Sequence, residues 1–229
     1  MAAYPTLLIL RLEGALQSWG ENSKWDARDT AALPTKSGIV GLLACALGWE
    51  RGDARIAALY DTIQIAVRAD RPGVRMTDYH TVTGHPLRNA LGKPRSPGGD
   101  TLVSHRQYLQ DASFLVVLQA EEETVRMLEH ALRHPVWCVY LGRKSCVPSR
   151  PVLEAATDQY VDLMDAVRHY PAADRAQYPM QYECEQEQLH LATLHRQDGK
   201  PEEGSRQFAR RRVWRGVISR RENDVSDED

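Results

Sequence analysis

The chain has 229 residues, 42% hydrophobic and 26% charged, with a formal net charge of −2. That length suits one elaborated domain, or a domain with a small appendage, and the composition is that of a globular protein with a real core. Collagen, coiled-coil rods and long disordered tails are excluded, while a near-neutral charge argues neither for nor against a nucleic-acid partner.

No apolar run reaches the roughly 20 residues a membrane-spanning helix needs, because Arg11 and Glu13 close off the stretch from Leu7 to Leu12. No basic-then-apolar leader opens the chain, so a cytoplasmic protein is expected. Cys45, Cys138, Cys146 and Cys184 show no C-x-x-C spacing, and in a reducing compartment they read as buried thiols rather than disulfides or zinc ligands. No cofactor is expected. The charge is uneven. Between Gly204 and Arg221 there are seven arginines and no acid, whereas the last eight residues carry five acids. Arg71 to Gln110 holds six Lys or Arg and three His against two Asp. Local basic stretches on a neutral chain suggest one polyanion-facing side.

In chain order, Tyr4 to Leu12 reads as a buried strand. A polar loop follows, Glu13 to Leu33, containing Gln17, Trp19 and Trp25. Pro34-Thr35 introduces a helix over Lys36 to Leu47, with Gly48 as its stop. Asp53 caps a second helix, Asp53 to Tyr60. Ile63, Ile65 and Val67 alternate with polar or small residues, which predicts a half-buried strand. Arg71 to His105 holds five glycines and four prolines. Its flanks, Thr77 to Thr83 and Thr101 to Tyr108, read as arms of a long hairpin with its tip near Asn89 to Asp100. Ala112 to Ala120 is a strand and Glu122 to His134 an amphipathic helix with acids at its start. Val136 to Leu141 reads as a strand and Gly142 to Pro148 as a basic turn. Without the hairpin, the order is βαββαβ, the ferredoxin-like pattern. A helix over about Asp158 to His169 and strand-like runs at Gln181 to Thr193 and Phe208 to Ser219 either extend the sheet or form a small second lobe.

Several segments carry candidate chemistry, most with a plainer alternative. Lys36-Ser37-Gly38 at a helix start offers N–H groups, a cation and a hydroxyl to phosphate, or is simply a helix start; the spacing is not a P-loop. Gly142-Arg143-Lys144-Ser145 can grip a phosphodiester, or be a solvated loop. Tyr79-His80 and His105-Arg106 lie on opposite arms of the hairpin and suit base stacking and phosphate contact. Histidines there also fit acid–base cleavage of RNA, the less favoured reading. Arg210 to Arg215, with Trp214 among the cations, fits nucleic-acid contact or a charged edge strand equally. His130 and His134 have metal-compatible spacing but no third ligand, so they read as surface residues.

Several segments in order resemble one family: Leu10-Arg-Leu-Glu-Gly-Ala-Leu-Gln-Ser-Trp-Gly20, Pro34-Thr-Lys-Ser-Gly-Ile-Val-Gly-Leu-Leu43, Asp78-Tyr-His-Thr-Val82, Tyr108-Leu-Gln-Asp-Ala-Ser-Phe114, Tyr140-Leu-Gly-Arg-Lys-Ser-Cys146 and Arg206-Gln-Phe-Ala209. They are similar to the CasD family of type I-E Cascade subunits, within the repeat-associated RNA-binding (RAMP) superfamily. The resemblance implies an α+β fold: an RRM-like (ferredoxin-like) domain over residues 1–150, a thumb hairpin at about 77–108, a small β-rich extension over 151–221 and an acidic tail, 222–229. It implies a non-catalytic subunit that holds the 5′ handle of crRNA. Such a subunit caps a filament of the backbone subunit CasC beside the PAM-recognising subunit CasA, and meets target DNA through the assembled complex. The implied RNA-binding residues are Gln17, Trp19, Lys36, Ser37, Gly38, Tyr79, His80, Thr81, His105, Arg106, Tyr108, Arg143, Lys144 and Ser145. Lys36, Arg143 and Lys144 are expected to act mainly on phosphates.

Overall fold

The computed structural model describes residues 6–24, 26–84, 87–88, 91–94, 101–200 and 208–220. Much of the expected hairpin tip, Trp25 and the acidic tail therefore lie outside the described residues. The fold is a mixed α+β arrangement of two largely antiparallel sheets.

The strands are β1 (Leu7–Glu13), β2 (Leu16–Gln17), β3 (Ala27–Arg28), β4 (Gln64–Arg71), β5 (Val74–Thr83), β6 (Thr101–Gln110), β7 (Ser113–Gln119), β8 (Leu153–Thr157), β9 (Met180–Cys184), β10 (Ala192–Arg196) and β11 (Arg211–Ile218). The helices are α1 (Lys36–Leu47), α2 (Ala54–Thr62), α3 (Glu122–Arg133) and α4 (Leu163–His169). Seven strands form one sheet in the order β10-β11-β9-β4-β7-β1-β8, each neighbour antiparallel. The C-terminal strands thus widen the main sheet instead of building a separate lobe.

Both faces of that sheet are covered, and strand alternation divides the core in two. Leu8, Leu10, Leu12, Phe114, Val116 and Leu118 join α1 and α3 on one side, with Leu128 in the same cluster. Leu7, Ile9, Leu115 and Val117 meet Leu163, Ala166 and Val167 of α4 on the other. This corrects the half-buried reading of β4. Its second face is also covered, and Arg68 there is fully buried, donating through Nη1 to the carbonyls of Val167 and Tyr170 at the end of α4 (2.6 and 2.9 Å). Asp70 lies between the guanidinium groups of Arg68 and Arg11, so both buried cations face a carboxylate. A buried charge is tolerable only when paired in this way.

Val136 to Leu141 is not a strand. After Pro135 its backbone groups find other partners: Val136 N–H donates to the Ala46 carbonyl (2.9 Å), and the Leu141 carbonyl accepts from Ser18 N–H (3.1 Å). The segment is a strap across the C-terminal end of α1, and the strand expected there is supplied by β8. Gly48 ends α1 in the left-handed region at φ 70°, and a Cβ there would stand 2.7 Å from Val136 Cγ1. Glycine is required on both counts.

The second sheet is built on β6. β5 pairs along its whole length without a register break, from Val74↔Gln110 to Thr83↔Thr101. On its other edge, β2 pairs antiparallel and β3 parallel, so the expected loop from Glu13 to Leu33 contributes two short strands.

Candidate nucleic-acid interface

Period-two alternation decides which hairpin side chains can act together. Tyr79 is paired with His105, and their rings meet edge-on with centroids 5.5 Å apart. Both are exposed, and Thr81 follows on the same face. Asp78 is opposite Arg106, His80 opposite Ser104 and Met76 opposite Tyr108, on the other face. Parallel pairing places Arg28 of β3 beside Arg106, on the face that also carries His80 and Tyr108.

The turn at 142–146 is fastened to that base. Arg143 lies with its guanidinium 4.6 Å from the Tyr108 ring centroid. It donates to the carbonyls of Gln107 (2.9 Å), Arg28 (3.1 Å) and Asp29 (3.3 Å). Gly142 lets the turn approach: its φ is 88°, and a Cβ would come 1.7 Å from the Ser18 carbonyl oxygen. Asp29 in turn holds the loop before it, accepting from Asn22 N–H (2.9 Å) and Ser23 Oγ (2.7 Å). Burial pushes that carboxyl up, but these hydrogen bonds outweigh it and leave its pKa below the ordinary value. Lys144 and Ser145 are exposed on the turn. Arg28, Arg106, Arg143 and Lys144 form no ion pair with a carboxylate among the described residues, so the site keeps its positive charge.

Other residues expected at the interface are turned inward or half-buried. Gln17 is fully buried; its Nε2 donates to the carbonyls of Leu12 and Ala112, and its Oε1 accepts from Trp19 Nε1. Trp19 belongs to the α1-side core and presses on Gly38, whose missing side chain makes the room. Ser37 Oγ donates to Thr35 Oγ1 (3.3 Å), and the same oxygen caps α1 by accepting from Gly38 N–H (3.1 Å). Lys36 is buried, with Nζ donating to the Ile63 carbonyl (2.8 Å) and Glu185 Oε1 (3.0 Å). Its backbone N–H donates to Asp198 Oδ2 (2.7 Å), so this chain's own carboxylate fills the helix N-terminus. Tyr108 is buried too and takes part as the surface beneath Arg143.

The Arg-rich strand explains Lys36's neighbours. Arg211 pairs with Asp198 (2.7 Å) and Glu185 (3.5 Å), Arg215 with Glu183, and Arg196 with Glu183 (2.8 Å) and Glu21 (2.6 Å). Burial pulls the Arg211 and Arg196 guanidinium groups toward neutrality, but the surrounding carboxylates outweigh it and keep both charged. Arg28 and Arg75 were not foreseen; Arg75 donates to the Thr30 carbonyl (2.8 Å) and Gln107 Oε1 (2.7 Å). The only signal for Arg28 is a pair of cations, Lys24 and Arg28, around Trp25 in a polar loop.

Residues 7–226 match the family of CRISPR-associated proteins designated Cas5. The chain belongs to the CRISPR-associated Cas5 family. Within it, the chain is 37% identical over 177 residues to the CRISPR system Cascade subunit CasD of Escherichia coli (strain K12), covering 71% of this chain and 76% of that one. It is also similar to a chain of a solved CRISPR RNA-guided surveillance complex, at TM-score 0.74 and 32% identity over 93% of this chain and 90% of the other. A crystal structure of a Cas protein is similar at TM-score 0.68 and 33% identity, over 93% and 95%. No helix among the described residues is long and apolar enough to cross a membrane.

Proposed function

We propose that this chain is a non-catalytic RNA-binding subunit of a Cascade surveillance complex, working in the cytoplasm and holding the 5′ handle of crRNA. The observation that carries this is the Arg143 clasp: one guanidinium joins the basic turn, β6 and the Arg28–Asp29 segment into a single face whose cations have no carboxylate partner among the described residues. Cations position phosphates while exposed rings such as Tyr79 and His105 stack on unpaired bases, and neither task needs a catalytic group. In this reading β1-α1-β4-β7-α3-β8, with its strand order β8-β1-β7-β4, is a ferredoxin-like (RRM-like) core, and β5–β6 is the thumb. The subunit ends the CasC backbone next to CasA and reaches target DNA through the complex.

A metal-independent endoribonuclease using Tyr79, His80 and His105 is the rival. Strand alternation speaks against it, because His80 faces away from the Tyr79–His105 pair. The test is to incubate the protein, without divalent metal, with labelled handle RNA and a scrambled strand of equal length. Preferential binding of intact handle RNA is expected. Specific cleavage that disappears in His80→Ala would overturn the proposal.

A further inference from the structure

The arginine run of β11 is the one basic stretch that the hairpin site leaves unused, and alternation sorts it into two sets. Arg211 and Arg215 face the buried carboxylates Glu183, Glu185 and Asp198. Arg212 and Trp214 face the opposite side of the sheet. Arg212 is paired with His195 of β10, and Trp214 with Thr193 of β10 and Cys184 of β9. Cys184 belongs to the α4-side core, which fixes the face.

Trp214 is half-buried and packs into neither hydrophobic core. Arg212 and His195 are exposed, and Arg212 makes no hydrogen bond or ion pair among the described residues. Exposed Arg210 precedes the strand and is likewise unpaired among the described residues. Within one short strand, every arginine on the inner face is matched by acid, and the one on the outer face is not. Arg212 and Trp214 stand one pleat repeat apart, about 7 Å, which is a base-to-phosphate reach. A half-open indole beside an unmatched guanidinium is the pairing that grips single strands, by stacking and charge together.

We propose that this outer face of β10–β11 is a second binding surface for single-stranded nucleic acid, with a base on Trp214 and its flanking phosphate on Arg212 and, when protonated, His195. It lies on the seven-stranded sheet, apart from the β5–β6 hairpin, and goes beyond the handle-binding reading. Trp and Arg are also typical anchors of protein interfaces, so a protein occupant is the outcome to exclude.

The test uses the full chain, photo-crosslinked to a short single strand of 4-thiouridine and uridine, with the crosslinked peptides mapped. Two separate sets are expected, one in the hairpin and one spanning Arg212 to Trp214. Trp214→Ala should lose the second set and weaken binding there about tenfold or more. Trp214→Phe should retain part of it. Arg212→Gln should melt as the wild type and lower the log–log salt slope by about 0.7, one phosphate. Crosslinks confined to the hairpin, or a salt slope unchanged in Arg212→Gln, would overturn the proposal. So would variants that keep every RNA contact but lose a co-purifying protein subunit. Crosslinks at β10–β11 with none in the hairpin would instead support this surface and remove the handle-binding reading.

Discussion

Lys36 and Lys144 have the same chemistry and opposite surroundings, and substitutions there should separate them. Lys36 is sealed against Glu185 and the Ile63 carbonyl, so Lys36→Ala leaves that carbonyl unbonded and Glu185 with Arg211 as its remaining cation, and should cost about 1–3 kcal/mol. Its effect should be seen as a lower melting temperature, with the salt dependence of RNA binding per folded molecule unchanged. Lys144 is exposed on the turn beside Arg143. Lys144→Ala should leave melting unchanged and reduce the salt slope by about 0.7. A wild-type slope in Lys144→Ala would take that residue out of the interface. Sequence composition treats both lysines as candidate phosphate ligands; only burial distinguishes them.

At the scale of elements, β7 is an interior strand of the sheet, between β4 and β1, and Phe114 is fully buried on its α1-side face. Phe114→Ala should cost about 3–5 kcal/mol, a large share of the roughly 5–15 kcal/mol that holds a typical domain together. Poor expression and a lower midpoint in denaturant are expected; wild-type melting with selective loss of RNA binding would mean that this face contacts RNA. The ends of β1, β4 and β7 are tied by Glu13, which pairs with Arg71 (3.0 Å) and accepts from Ser113 Oγ (3.0 Å). Burial pushes the Glu13 carboxyl up, but the bonds from Arg71 and Ser113 outweigh it, and its pKa falls below the ordinary 4.5. A lowered pKa means stabilisation that is fully present above that ordinary value and lost as pH falls through the lowered one. The difference in melting temperature between wild type and Glu13→Gln should therefore be largest near neutral pH and shrink below about pH 4.5. A constant difference down to pH 3 would dissociate the effect from the carboxylate charge.

At the scale of the whole molecule, the hairpin stands apart from the sheet that holds the core. Its outer strand, β5, is mostly exposed, while its base is fastened by β2, β3 and Arg143. Replacing residues 85–100 with a short Gly-Ser turn should leave the melting temperature nearly unchanged, because loop closure depends only weakly on length. The same change should prevent stable capture of crRNA into a purified complex. Normal crRNA content in the shortened variant's complex would remove the thumb from the proposal, and failure to fold alone would make the tract part of the core.

Local patterns in the chain suffice to place β1, β7, α1 and α3, since apolar period and capping residues are short-range signals. They also isolate the hairpin and the turn at 142–145, because glycine, proline and charge are read position by position. They fail at Val136 to Leu141, where an apolar run that looks like a strand is drawn into a strap by backbone partners on α1 and Ser18. They give no sign of the burial of Gln17, Trp19 and Lys36, whose residue types suit RNA but whose polar atoms bond inside. Arg11, Arg68 and Asp70 give no sign in the sequence that they meet in the core. Partners such as Asp198 for Lys36, or Gln107 for Arg143, are remote in the chain and become neighbours only when the strands pair. Which elements form was thus settled by short-range chemistry, whereas which charges remain free for a ligand was decided by long-range pairing and burial, which no local pattern encodes.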